Sequence, residues 1–196
     1  MTGHRYFILN KPLNMVSQFV SSHDVKLLGS INFNFPEGTH AIGRLDKNSE
    51  GLLLLTTDKK ITVLLFQGKQ PHSRTYLVQV KHKVSPETVL QLSEGVTISA
   101  PNGSEYKTNP CEVTLLDKPG FIHEPDTPLH KNVAYSWLLI TLSEGKFHQV
   151  RKMVAAVHHK CIRLIRISIE DIQLGEMLPG EVIELSQKSF YEKLKL

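Results

Sequence analysis

The stretch that most constrains this 196-residue chain runs from His40 to Thr56. Its second half is a leucine run, Leu52-Leu53-Leu54-Leu55, bounded by Gly51 and by Thr57-Asp58. An apolar run of this length between turn residues reads as a buried strand. Its first half, Gly43-Arg44-Leu45-Asp46-Lys47-Asn48-Ser49-Glu50, is polar and turn-rich. Asp46 therefore sits in a loop that feeds directly into the core. A carboxylate there is either paired structurally or used chemically. Charge alone favours the structural reading, because loop ion pairs are common and few are catalytic.

Composition narrows the classes. A chain of this length with 40% hydrophobic residues holds one domain, or two small subdomains sharing a core. The net charge of +4 suits docking on phosphate through a local patch, although many ordinary enzymes are as basic. Cys111 and Cys161 lie in apolar, strand-like contexts and read as buried free thiols in a reducing cytosol. Tyr6-Phe7-Ile8-Leu9 is too short for a signal peptide, and no run approaches the roughly 20 apolar residues of a membrane helix. The expected location is the cytoplasm. His158 and His159 are adjacent and point to different helix faces, and no other His/Cys group has ligand spacing, so no metal or other cofactor is expected.

Along the chain, Tyr6 to Asn10 reads as a first strand, stopped by Pro12. Residues 15–20 fit a second strand, and Asp24 to Ile31 a short helix. Asp58 can cap a helix carrying Ile61, Leu64 and Leu65. Arg74 to Val80 alternates as a strand. Ser85-Pro86-Glu87 opens a helix that Gly95 closes. Val96–Ser99, Pro110–Leu116 and Tyr135–Leu142 read as strands, with Trp137 in the core. Residues 117–132 read as a long proline-rich loop, either a floppy insertion or a functional surface from which Lys118, His123, His130 and Lys131 reach phosphate. A helix is expected over Lys146–His158, with Phe147, Val150, Val154 and Val157 as its buried face and His148 and Arg151 on an adjacent one. Three short strands and a terminal helix from Ser189 follow. The order points to α+β with a mixed, mostly antiparallel sheet.

Two stretches carry a resemblance. Gly43-Arg44-Leu45-Asp46 with Ser49-Glu50-Gly51 and the leucine run resembles the catalytic motif of the RsuA-type pseudouridine synthases. Glu144-Gly145-Lys146-Phe147-His148-Gln149-Val150-Arg151-Lys152-Met153 resembles a later motif of the same family, in the same order. Lys11-Pro12-Leu13-Asn14 is similar to its first motif, with Asn14 where glycine is usual; asparagine tolerates left-handed backbone. Arg74-Thr75-Tyr76-Leu77-Val78 is similar to a lysine-x-tyrosine-x-valine motif, with arginine keeping the charge. The likeness runs from Phe7 to Leu185, nearly the whole chain.

The resemblance implies a sheet in two halves with a central active-site cleft, and isomerisation of uridine to pseudouridine in RNA. It implies that Asp46 is the catalytic aspartate, that Tyr76 stacks on the uracil, and that Arg151 favours the charged carboxylate. Lys11, Arg44, Lys146, Lys152, Arg163 and Arg166 are then candidates for holding the RNA backbone, and His148 and Gln149 for orienting the loop or touching RNA. The chain starts almost at the first strand, so a single catalytic domain over residues 1–196 is expected, without the small S4 RNA-binding domain that many members carry. With Tyr135-Ser136-Trp137 and the proline-rich loop, this makes it most similar to the RluE subgroup, which modifies one uridine of large-subunit (23S) ribosomal RNA. Nothing demands a protein partner or more than a monomer. The competing readings are a non-catalytic ribosomal-RNA assembly factor, a synthase for another ribosomal or transfer RNA uridine, and a hydrolase using Asp46 with Glu50.

Overall fold

A computed structural model of the chain describes residues 3–67, 70–120, 122–123, 129–130 and 132–196. Lys131, one of the loop cations named above, lies outside the described residues. In chain order the first elements are β1 (Tyr6–Lys11), β2 (His40–Ile42), β3 (Glu50–Thr56), α1 (Lys60–Gln67), β4 (Arg74–Lys81) and α2 (Pro86–Ser93). Then come β5 (Thr97–Ser99), β6 (Glu105–Lys107), β7 (Glu112–Leu116), β8 (Tyr135–Leu142) and α3 (Gln149–Ala156). The last are β9 (Cys161–Ile169), β10 (Ile172–Gln173), β11 (Val182–Leu185) and α4 (Gln187–Leu194). The fold is mixed, with a mostly antiparallel sheet and few helices. Two compact units divide the chain, Met1–His72 with Ile165–Leu196, and Ser73–Leu164.

The first unit is built on β3. Leu52, Leu53, Leu54 and Leu55 are all 0% exposed, so the strand is covered on both faces and reads as a continuous apolar run. One edge of β3 takes β1 in antiparallel register, Leu9 opposite Leu53. The other edge is shared by β9, parallel at Glu50 and Gly51, and by β2, antiparallel at Leu54 to Thr56. Gly51 makes the parallel contact possible. Its φ is +98°, and a β-carbon there would overlap the Arg166 carbonyl. Phe33 and Phe35 pack on Phe7, adding aromatic area to the cluster of Leu9, Met15, Leu28, Leu53 and Leu55. Asp58 accepts from Lys60 N at 3.0 Å and opens α1 as expected; Tyr6 and Tyr191 hydroxyls donate to its other oxygen.

Two local expectations fail here. Residues 15–20 form no strand, only a single bridge from Met15 to Lys26. The helix expected over Asp24–Ile31 shrinks to a 3-10 turn at Leu28–Ser30. Its N-cap, Leu27, has no side chain to bond the first amides, and Gly29 sits inside it.

In the second unit β4 pairs with β8 along its whole length, Arg74 opposite Leu142 through Lys81 opposite Tyr135. β7 takes the other edge of β8, and β5 and β6 form a separate ribbon. Val78, Val80, Leu138 and Ile140 share a core with Leu92, Val150, Met153 and Val154. Ser85 caps α2 by accepting from Thr88 N at 3.2 Å, with Pro86 at the first helical position, as the sequence predicts. α3 is shorter than expected. His148 takes a left-handed conformation at φ +53° and stands as its N-cap, so the helix begins only at Gln149. Phe147 therefore precedes the helix and is 59% exposed instead of lining its buried face. Both cysteines are half-buried free thiols, and burial pushes each up to about 11.

Replacing Gly51 with alanine forces a strained φ and a backbone overlap. Gly51→Ala is expected to lower the unfolding free energy by more than about 1 kcal/mol in urea titrations. An unchanged midpoint would contradict the close β3–β9 approach.

Candidate active site

Asp46 lies half-buried in the loop between β2 and β3. The backbone around it is fixed at several points. Leu45 N donates to Ser17 Oγ at 3.0 Å, and Ser17 Oγ donates back to Leu45 O at 2.8 Å. Ser49 N closes a turn onto Asp46 O at 3.1 Å. Arg166 ties the two ends together, donating from Nε to Leu52 O and from its terminal nitrogen to Gly43 O, both at 2.8 Å. Lys11 does the same for the turn after β1. Its Nζ donates to Pro12 O and Met15 O, each at 2.7 Å. Asn14 in that turn has φ +62°, the left-handed conformation that glycine or asparagine tolerates.

These buried cations set the local electrostatics. Lys11 is 0% exposed, and burial pushes its amine down to about 8. The Glu50 and Asp46 carboxylates pull it back up, and Arg166 pushes it further down. Asp46 thus shares its unit with two charges of opposite sign, in a loop whose backbone is held on both sides.

Tyr76, Arg151 and the second motif belong to the other unit. Tyr76 on β4 is half-buried against the core cluster. Arg151 on α3 is also half-buried, and its charge partly offsets the effect of burial on Cys161. Gln149 is buried and locks the turn before α3. Its Nε2 donates to Glu144 at 2.6 Å and its oxygen accepts from Lys146 N at 2.8 Å. Glu144 also accepts from Asn109 N at 2.9 Å and from the Tyr106 hydroxyl. The Lys146 amine sits 4.5 Å from the Tyr106 ring centre. Phe147 and His148 stack, with centres 3.9 Å apart and planes 17° apart. Lys152 donates to Ser99 O at 2.6 Å.

The structure thus sorts the expected RNA contacts. Arg44 and Lys146 are exposed, and His148 and Lys152 partly so. Lys11, Arg163 and Arg166 are buried and bond to backbone carbonyls, Arg163 to His123 O at 2.9 Å, so in this structure they brace loops instead of facing a phosphate. Gln149 is buried and bonded within the turn before α3. Ser17 and Glu144 were not picked out as supporting residues. Ser17 lies 28 residues from its partner and leaves no local signal, whereas Glu144 stands at the head of the second motif and was open to notice.

A sequence profile described as RNA pseudouridylate synthase matches residues 5–156. The chain belongs to the RNA pseudouridylate synthase family. It is 33% identical over 186 residues to ribosomal large subunit pseudouridine synthase E of Vibrio parahaemolyticus, covering 94% of this chain and 75% of that one. It is 34% identical over 174 residues to the protein of the same name in Xanthomonas axonopodis pv. citri, covering 88% and 89%. A solved pseudouridylate synthase superposes with a TM-score of 0.79 at 30% identity, over 99% of this chain and 75% of that one. The enzyme is an isomerase that converts uridine to pseudouridine in RNA. That reaction exchanges a nitrogen–carbon bond to ribose for a carbon–carbon bond with no net redox change. Its demand on a synthase is a reactive group held in a fixed direction while the base turns.

The buried amine gives a pH test. Lys11 returns to its ordinary value near 10.5 on unfolding. Between about 8 and 10.5 the unfolded chain holds the proton that the folded chain has lost, so the contribution of Lys11 to stability grows as pH rises through that window. The neutral amine keeps two N–H donors for its two carbonyls. Lys11→Met is therefore expected to be less stable than wild type, with a deficit about 1 kcal/mol larger at pH 9 than at pH 7. A deficit independent of pH would reject the lowered amine.

Proposed function

We propose that this chain isomerises one uridine of large-subunit (23S) ribosomal RNA, with Asp46 as the catalytic aspartate and Tyr76 and Arg151 serving the same reaction. The observation that carries the target is the likeness, over most of the chain, to two synthases named for the large ribosomal subunit. Asp46 is supported by its loop, which Ser17 and Arg166 fix before the carboxylate, at Leu45 and Gly43, and Arg166 fixes after it, at Leu52. Tyr76 offers a flat face to a uracil. Arg151 offers a planar fork that matches a carboxylate or a phosphate.

The target uridine leaves its stack before reaction, at a cost that falls if it is already unpaired. Arg44, Lys146, His148 and Lys152 contact the flanking backbone. Lys11, Gln149, Arg163 and Arg166 act from behind by holding the loops. The enzyme works as a monomer in the cytoplasm, without metal or redox cofactor. No helix among the described residues is long and apolar enough to cross a membrane.

Unmodified ribosomal RNA, incubated with wild type or with Asp46→Asn, tests the reading by carbodiimide-dependent reverse-transcription stops. Wild type is expected to give one new stop in large-subunit RNA. Asp46→Asn should bind RNA equally and lose activity about 100-fold or more. Stops from both proteins would reject Asp46 as the catalytic group. A stop only in small-subunit or transfer RNA would move the target, and tight binding with no stop anywhere would favour an assembly factor. RNA affinity is also expected to fall steeply with salt, because phosphate contacts release counterions; salt-insensitive binding would contradict a backbone-held substrate.

A further inference from the structure

The second unit carries a cavity lined by none of the residues proposed for the isomerisation. Gln79 of β4, Trp137 of β8 and Leu116 of β7 lie side by side in register. Side chains alternate along a strand, so this row faces away from Val78, Val80, Leu138 and Ile140, which pack with α3. Over the row lies a cavity of about 620 Å³, which Lys83, Lys118 and Tyr135 also line. Gln79 is only 4% exposed, yet its side-chain oxygen has no hydrogen-bond partner among the described residues. A buried acceptor left unmade is unfavourable, and a bound N–H would recover that loss.

We propose that this cavity is a nucleotide subsite that takes an adenine base against Gln79 and a phosphate at its rim. A glutamine amide presents an acceptor beside a donor, the pair that matches the N6 amine and N7 of adenine. Tyr135 and Trp137 supply ring surface, on which bases pack. Lys83 is exposed at the rim and offers a positive charge to a phosphate. Asp117 shares the rim, which places the phosphate on the Lys83 side. The volume falls in the range of small-molecule sites. Two sources carry this chemistry, a free adenine nucleotide and an unpaired adenosine of an RNA strand. Neither involves Asp46, so the site is tested by binding alone and stands or falls separately from the isomerase reading.

Trp137 is the only tryptophan of the chain, so its emission reports from the cavity wall. The full-length protein is titrated with AMP, UMP, ribose 5-phosphate and short unstructured oligoadenylate, with correction for nucleotide absorbance. AMP is expected to change the emission saturably and at lower concentration than UMP, and ribose 5-phosphate to leave it unchanged. Gln79→Leu should weaken AMP about tenfold without lowering Tm, because it removes the amide and its unpartnered oxygen together. Lys83→Ala, at an exposed position, should weaken AMP but not adenosine. Tighter binding of oligoadenylate than of AMP assigns the site to RNA, and no such gain assigns it to the free nucleotide. No saturable change up to millimolar AMP, equal affinity for UMP, or unaltered AMP affinity in a folded Gln79→Leu would each overturn the proposal. If Gln79→Leu fails to fold, the Lys83→Ala comparison decides, and equal effects on AMP and adenosine would overturn it.

Discussion

The guanidinium of Arg166 holds two carbonyls, Gly43 O and Leu52 O, that lie on either side of Asp46 in the chain. The rest of this unit's site depends on that clamp. It forms only because β9 runs beside the start of β3, and that approach is open only because Gly51 has no side chain. Ser17 then bonds Leu45 in both directions, one residue before the carboxylate. A loop aspartate would otherwise sample many directions. Fixing its backbone at both ends restricts that freedom before substrate arrives, which is what the role proposed for Asp46 requires.

Cations in this protein serve two physical roles that the sequence does not distinguish. A charge taken out of water is costly unless it is fully bonded. Arg166, Arg163 and Lys11 lower that cost by donating to backbone carbonyls, and Lys11 lowers it further by giving up its proton more readily. Arg44 and Lys146 stay in solvent, where a phosphate can displace water from them. The second unit fixes its motif with neutral and acidic groups instead. Glu144 gathers Asn109 N, the Tyr106 hydroxyl and Gln149, and so shapes the turn that leads into the helix of Arg151.

Much of this was legible in the residues. The leucine run, the Ser85-Pro86 helix start and the Asp58 cap all follow from local chemistry, and the structure has each of them. The order of the two motifs was enough to suggest the family. Other features depend on distant partners. Periodicity placed Phe147 in the core, but left-handed backbone at His148 starts the helix later and turns Phe147 out. Arg163 and Arg166 alternate with apolar residues in β9, and nothing local says that their carbonyl partners come from 40 and 123 residues away. The bond from Ser17 to Leu45 is equally invisible until the chain has folded.

Arg166→Lys tests the central claim most directly, since lysine keeps the charge but loses the fork of two separate nitrogens that reaches Leu52 O and Gly43 O. The measurement is the single-turnover rate of pseudouridine formation at saturating ribosomal RNA, alongside RNA affinity. If the clamp sets the direction of Asp46, the rate falls about 10- to 100-fold while affinity barely changes. Weakened affinity with an unchanged saturating rate would instead make Arg166 a phosphate contact and contradict the account.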